Sequence, residues 1–298
     1  MTHKSFIALD WGTTSFRAYL VSAEGAVKNQ FASPEGILAV KDQGFEAVLE
    51  SHIGDWDISL PVVASGMITS RQGWIELPYA ECPAGLSDLA SHLKVHQTAS
   101  GRTIHFITGM HHKSASIGHD VMRGEETQVF GSVESGANHF VAPGTHSKWI
   151  DVAQNKITGF SSYMTGEVFA LLRNHSILGR LMTGDSDDEG AFIKGVEKAL
   201  ADPAGFLHSI FSVRTLGLFN DMRPEQLASY LSGIVIGTEV AHATVNNGRA
   251  AKYVVLASAG IGARYVQAMT HAGLNAVMGD PLAVIKGEAA VAHAAGVI

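Results

Sequence analysis

Two segments of this chain, one near its start and one near its middle, share a pattern of apolar strand, short polar turn with glycine, and second strand. In the first, residues 6–10 (FIALD) lead through Trp11-Gly12-Thr13-Thr14-Ser15 to a strand at 17–21. In the second, residues 140–142 lead through Pro143-Gly144-Thr145-His146-Ser147 to a strand at 149–152. Each reads as a β-hairpin whose tip offers backbone N–H groups and hydroxyls to an anion. Taken singly, either could be an ordinary turn, because Gly and Thr are common turn residues. Taken together, one opening each half, they are what a chain gripping a polyphosphate between two domains requires.

The rest of the sequence fits a layered α/β protein. Further strand-like runs fall at 62–65, 103–108 and 253–257, and helical patterns alternate with them at 44–52, 86–94, 125–132, 166–172, 191–200, 224–245, 263–272 and 282–294. Such alternation predicts sheets covered by helices. The 298 residues, 46% of them hydrophobic, suffice for a large core or two smaller ones. No Pro- or Ser-rich linker divides the chain, and no repeat of solenoid period appears.

Charge and composition narrow the function. A net charge of -7 argues against nucleic acid as partner, since that needs basic surface. The one cysteine, Cys82, cannot close an internal disulfide, and apolar runs such as 253–259 and 289–298 are far too short to span a bilayer. The start, MTHKSFIALD, has no secretory pattern. A cytoplasmic enzyme with no membrane partner is the expectation.

Asp10 makes the first turn a candidate site. A carboxylate at the C-terminal end of a buried strand is costly unless paired, and a hydrated Mg2+ would pair it while the turn holds phosphate oxygens. Capping of the hairpin by Asp10 is the structural alternative. Arg17 offers a fixed cation near the same phosphates or an outward strand residue.

The segment IALDWGTTSFRAYLV resembles the first phosphate motif of the actin, Hsp70 and sugar-kinase superfamily; APGTHSKWIDV resembles its second and VVLASAGIGARY its adenosine motif. More narrowly, SGMITSRQGWIELPYAECPAG, MRGEETQVFG, PGTHSKWI and SSYMTGEVFALLR are similar to the 2-dehydro-3-deoxygalactonokinase family, in order from about residue 5 to about residue 292. The resemblance implies an α/β, two-lobed actin-like ATPase (ribonuclease H-like) fold with an ATP cleft between the lobes. An N-terminal lobe at 1–136 would carry the first hairpin and the sugar-acid loop, and a C-terminal lobe at 137–298 the second hairpin and adenosine motif. The implied reaction moves a phosphoryl group from ATP to the 6-hydroxyl of a 2-keto-3-deoxy sugar acid.

On that resemblance, Gly12, Thr13, Thr14 and Arg17 with Gly144, Thr145, His146, Ser147 and Lys148 would hold the phosphates of ATP, with Mg2+ near Asp10. Lys148 could reach them or sit on the outer face of its strand. Ala259, Gly260 and Gly262 would border the adenosine, with Gly166, Glu167 and the stretch 237–239 as further wall candidates. Phosphoryl transfer also needs a base. Arg123-Gly124-Glu125-Glu126 places paired carboxylates at a helix start; Glu125, directly after the glycine, is the first candidate and Glu126 the second. Helix-start acids favoured by the macrodipole are the structural alternative.

The polar loop 66–85 is the expected substrate surface. Arg71 would pair bidentately with the acid's carboxylate, Gln72 would hold a hydroxyl or the keto oxygen, and Ser65 and the turn at 36–38 would add contacts. Trp74 would cover the sugar or anchor the loop in the core. The histidines, including His111, His112 and His119, lack the spacing of a zinc site. The acidic run at 186–189 reads as a helix N-terminus. Two other classes stand beside the kinase. A phosphatase or NTPase of the same superfamily is favoured by the Gly-Glu-Glu segment, which resembles exopolyphosphatases. A nucleotide-switched filament or chaperone would need a further domain that this length leaves little room for. A homodimer is the assembly considered.

Overall fold

The computed structural model describes residues 4–42, 44–114, 118–184, 187–244 and 251–298. Ser186 and Val245, at the edges of two expected segments, lie outside them. The chain divides into two compact units: Met1–Gly136 with Asp151–Phe160 and Asp280–Ile298, and Ala137–Ile150 with Ser161–Gly279. In this division two segments of the expected C-terminal lobe, 151–160 and 280–298, fall in the first unit.

The first unit contains β1 (Phe6–Trp11), β2 (Phe16–Val21), β3 (Val27–Ser33), α1 (Gly44–Ile53), β4 (Val62–Ser65), β5 (Ala80–Glu81), α2 (Leu86–Ser91), β6 (Lys94–Gln97), β7 (Thr103–Phe106), β8 (Met110–Ser114), β9 (Gly118–Met122) and α3 (Glu125–Phe130). Its six-stranded sheet runs β3-β2-β1-β4-β7-β6. Five of the six β1 residues are buried, as a central strand covered on both faces should be. On β2, which pairs antiparallel with β1 from Phe6↔Val21 to Trp11↔Phe16, Phe16 and Ala18 face the core while Arg17 faces out. The core gathers Ile7, Leu9, Trp11, Phe16, Leu49, Ile53, Ile104 and Phe106.

Both edge strands escape a reading by hydrophobic period. β3 (VKNQFAS) and β6 (KVHQ) are polar because each pairs on one side only. The helix expected over 86–94 therefore stops at Ser91, and the chain turns at His92 into β6. A small sheet, β5-β8-β9, is also polar, with His111 and His119 stacked on neighbouring strands.

The second unit takes β10 (His139–Ala142), α4 (Thr165–His175), α5 (Glu189–Ala201), α6 (Phe206–Leu218), α7 (Leu227–Ala243), β13 (Lys252–Val255), α8 (Ala259–His271) and β14 (Asn275–Met278). The hairpin β11 (Ser147–Ala153) and β12 (Lys156–Tyr163) begins and ends in it. The sheet order is β12-β11-β10-β13-β14, with β13 parallel to both β10 and β14. Helix α6 was not expected: its apolar residues lie all around it, with Leu207 and Phe211 exposed and Val213 buried, so no single face shows in the sequence. The last helix, α9 (Ala283–Ala294), packs on β1, β4 and α3 in the first unit. Among the described residues no helix is long and apolar enough to cross a membrane.

Candidate active site

The first turn is a tight closure of β1 and β2, with Gly12 N donating to Ser15 O at 2.9 Å. A neighbouring turn fixes it from the side: Ile37 N donates to Gly12 O at 3.0 Å, Leu38 N to Thr13 O at 3.3 Å, and the Trp11 indole to Glu35 O at 3.0 Å. Thr14 at the tip is exposed, and Gly12 and Thr13 are half-buried.

Asp10, at the end of β1, has a largely covered side chain, 16% exposed, and its Oδ2 accepts from Arg17 Nη1 at 3.2 Å. Burial raises its carboxyl above the ordinary value; Arg17 opposes this and the charge of Glu125 adds to it. Beside Asp10 lies Gly66, which follows β4, whose Ser65 pairs with Asp10. Gly66 has φ of +94°, and a Cβ there would lie 2.9 Å from Trp11 O and 3.3 Å from Asp10 Oδ1. Gly124, with φ of +112°, would put its Cβ 3.1 Å from the Gly66 Cα. Two glycines thus let the start of α3 approach the end of β1 closely.

The paired glutamates part company at this junction. Glu126 is 1% exposed, and its carboxylate accepts from Gly124 N at 3.0 and 2.8 Å and from Thr127 Oγ1 at 3.1 Å. Burial and the charge of Glu125 push it up to about 7 against those hydrogen bonds. Glu125 is half-buried; its Oε2 accepts from Arg123 N at 2.9 Å, and its other oxygen has no hydrogen-bond partner among the described residues. Glu126 folds back on its own helix start, whereas Glu125 keeps an oxygen available.

A fourth carboxylate, close enough to Asp10 to feel its charge, was not anticipated. Glu288 of α9 is fully buried and accepts from Ser65 Oγ at 2.8 Å. Burial holds it well above the usual range, with Asp10 adding to the effect. A lone acid in the otherwise apolar helix AVIKGEAAVAHA is the sequence signal for it. Ser65, expected to touch substrate, is instead 0% exposed with its hydroxyl engaged by Glu288.

The loop 66–85 is anchored as well as polar. Trp74 packs into the core, near-parallel to Phe45 and edge-on to Phe106 and His96, which decides between its two expected roles. Arg71 is 87% exposed, 3.8 Å from Glu76, and Gln72 is exposed beside it.

In the second unit, the turn after β10 has Gly144, Thr145 and His146 exposed. It rests on the start of α4: Glu167 N donates to Thr145 O at 3.0 Å, His146 Nε2 lies 2.6 Å from Glu167 Oε2, and a Cβ on Gly166 would come within 2.3 Å of Gly144 O. Ser147 and Lys148 turn inward: Lys148 is 6% exposed with Nζ 2.5 Å from Ser162 Oγ, and Ser147 Oγ donates to Glu239 at 2.7 Å. Glu239 is a buried carboxylate receiving four donors, Ser147, Trp149 Nε1 at 2.7 Å, Tyr265 Oη at 2.6 Å and Thr165 Oγ1. Burial still raises it.

A pocket of about 100 Å³ lies in this unit, lined by Gly144, Gly166, Phe169, Ser232, Ile261 and Arg264 among others. It brings the second turn together with the segment after β13. That segment is not a free loop: Ala259, Gly260 and Gly262 form the first turn of α8, whose unpaired N–H groups give that end of the pocket an anion-favouring character. Arg264 donates to Ser232 Oγ at 2.9 Å and to Asp187 Oδ1 at 2.5 Å. Arg264 and Ser232 were not singled out from sequence, because they meet only when α7 and α8 pack.

Residues 10–291 match the family described as 2-keto-3-deoxy-galactonokinase. The 2-dehydro-3-deoxygalactonokinase of Escherichia coli (strain K12) is 35% identical over 293 residues, 97% of this chain and 98% of that one. A crystal structure from Sinorhizobium meliloti, described as a 2-dehydro-3-deoxygalactonokinase protein, superposes with a TM-score of 0.89 at 34% identity, covering 97% and 98% of the two chains. Component A of the (R)-2-hydroxyglutaryl-CoA dehydratase of Acidaminococcus fermentans, 10% identical over 97% of this chain and 96% of that one with a TM-score of 0.50, shares the fold alone.

Proposed function

Because the chain belongs to the 2-keto-3-deoxy-galactonokinase family, we propose that it phosphorylates 2-dehydro-3-deoxy-D-galactonate on its 6-hydroxyl, with ATP as donor and Glu125 as base. The fold is the α/β fold of actin-like ATPases and sugar kinases. The observation that supports Glu125 as the base is the close approach of Gly124, at the start of α3, to Gly66 beside Asp10, with Glu126 turned back onto its helix start. On this reading the two carboxylates have different tasks, one facing charge and one accepting a proton.

Asp10 fits a divalent cation. It is a hard oxygen donor at a strand end, kept from full ionic comfort by burial and balanced by only one arginine. Mg2+ takes most of its shell from phosphate oxygens and water, so a single carboxylate can hold it. The ion would neutralise charge on the transferring phosphoryl group.

The residues of the chain supply positioning. Thr13 and Thr14 in the first unit, held by the turn that Gly12 closes, offer N–H and hydroxyl donors to phosphate, and Gly144, Thr145 and His146 offer donors in the second. The pocket beside Gly144 and Ile261 takes the nucleoside. Glu125 accepts the proton of the 6-hydroxyl as its oxygen attacks the γ-phosphorus.

The test is ADP release with Mg2+ and ATP, run without acceptor, with the galactonate acid and with its gluconate epimer. Strong stimulation by the galactonate acid, with phosphate on carbon 6, supports the reading. Release indifferent to every sugar acid would favour the hydrolase class.

A further inference from the structure

Arg123 sits at the junction between β9 and α3, two residues before Glu125. It is 8% exposed, so its guanidinium has left water almost entirely. Its partners are all neutral: Nη1 donates to Thr69 Oγ1 at 2.8 Å, Nη2 donates to Leu77 O at 3.1 Å, and the Tyr79 ring lies 4.1 Å from the guanidinium carbon. No carboxylate is within ion-pair reach among the described residues. A guanidinium carries five N–H donors, of which two are used, and Nε is buried without a partner. A buried cation without a counter-charge is strongly unfavourable, and arginine is the cation best shaped to receive a carboxylate on two N–H groups.

The segment that holds Arg123 has a second buried donor without a partner. Ser70 is 8% exposed and its Oγ has no hydrogen-bond partner among the described residues. It follows Thr69, which accepts from Arg123 and itself donates towards Gly66 O and Ile107 O. Arg71, next along the loop, stands 87% exposed with Glu76 beside it. Water already solvates that charge, so a carboxylate reaching it gains little.

We propose that Arg123, whose partner Thr69 precedes Ser70 in the loop, and not Arg71, receives the carboxylate end of the sugar acid. The ligand class is a 2-oxo-carboxylate: one oxygen pair accepts from the free edge of the guanidinium, and the ring of Tyr79, 38% exposed, forms the outer wall. The same backbone junction then fixes both ends of the substrate. Arg123 N holds Glu125 Oε2 at 2.9 Å, so the side chain gripping the carboxylate and the base facing the far hydroxyl hang from one short segment. The length of the open six-carbon acid is thereby measured against the fold, and a neutral sugar of the same length is rejected because it leaves the guanidinium without its anion.

This inference rests on the kinase reading, and the experiment separates the two. Steady-state kinetics compare the acid with its neutral C1 amide in the wild type, Arg123→Lys and Arg71→Ala, with melting curves to establish folding. The wild type should prefer the acid strongly. Arg123→Lys should lose that preference by roughly 10- to 100-fold through the KM of the acid, with the KM for ATP little changed. Arg71→Ala should keep it. An unchanged preference in Arg123→Lys, or its loss in Arg71→Ala, overturns the proposal. Should Arg123→Lys fail to fold, calorimetric titration of the wild type and Arg71→Ala with pyruvate and with pyruvamide decides. Pyruvate binding to both proteins with pyruvamide ignored supports the site, and equal binding of the two compounds, or loss of pyruvate binding in Arg71→Ala, removes it. That titration needs no turnover, so a wild type inactive on all sugar acids overturns the kinase reading separately.

Discussion

Replacing Glu126 by glutamine isolates the energetic consequence of burying a carboxylate beside the base. In the native protein, burial and the charge of Glu125 move Glu126 from an ordinary value of 4.5 to about 7. Between those values the folded state keeps a proton that the unfolded chain has released, so stability falls as pH rises through this window. Below about 4.5 both states are protonated and above about 7 both are ionised, so the dependence levels off on either side. The distance between the two values corresponds to about 3 kcal/mol.

Glutamine has no such titration. It keeps one oxygen for Gly124 N or Thr127 Oγ1 but brings a buried amide that needs an acceptor, a loss of about 1–2 kcal/mol that does not vary with pH. The difference in unfolding free energy between Glu126→Gln and the wild type should therefore move in favour of the variant by about 3 kcal/mol from pH 4 to pH 8. Urea unfolding of both proteins across that range measures it. Asp10, Glu239 and Glu288, whose values are also raised, titrate in both proteins and largely cancel. A difference that stays constant within 1 kcal/mol would refute the reasoning. Turnover at pH 8 should remain within several-fold of wild type, and its disappearance from a folded variant would transfer the base from Glu125 to Glu126.

Glu125→Gln should lower kcat by about 10²- to 10⁴-fold with little change in ATP affinity, checked by steady-state kinetics and nucleotide titration. The same substitution removes a charge that raises Glu126, so the pH window of stability should shift down, visible in the same urea series. Gly66→Ala should destabilise by about 1–3 kcal/mol in thermal unfolding and lower turnover, since its φ of +94° and its contact with Trp11 O both exclude a side chain. Arg102→Met should cost about 3–5 kcal/mol in the first unit: the fully buried guanidinium donates to Glu50 and to the carbonyls of Ile53, Asp57 and Trp56, and removing it leaves them without donors. Stability within 1 kcal/mol of wild type would show that these groups find water instead.

The sequence by itself determined the parts of this protein that depend on neighbours along the chain. Short apolar runs next to a glycine turn located β1, β2 and β10, because a strand buried on both faces must be apolar whatever lies beyond it. The order of the motifs pointed to the family and hence to the chemistry. Strands β3 and β6 and helix α6 were illegible for a matching reason: an edge strand needs few apolar residues, and a helix with apolar residues all around shows no face. Tertiary structure alone decided which polar groups lose water. Glu125 and Glu126 are adjacent and chemically identical, yet the close approach of Gly124 to Gly66 turns one inward and leaves the other an open oxygen. Arg71 and Arg123 are equally charged in the sequence, but only packing buries the second without a counter-charge. Glu288 and Ser65 meet across 223 residues, a distance over which no local pattern can report. Burial and pairing set the energy of a charge, and both are properties of the folded neighbourhood.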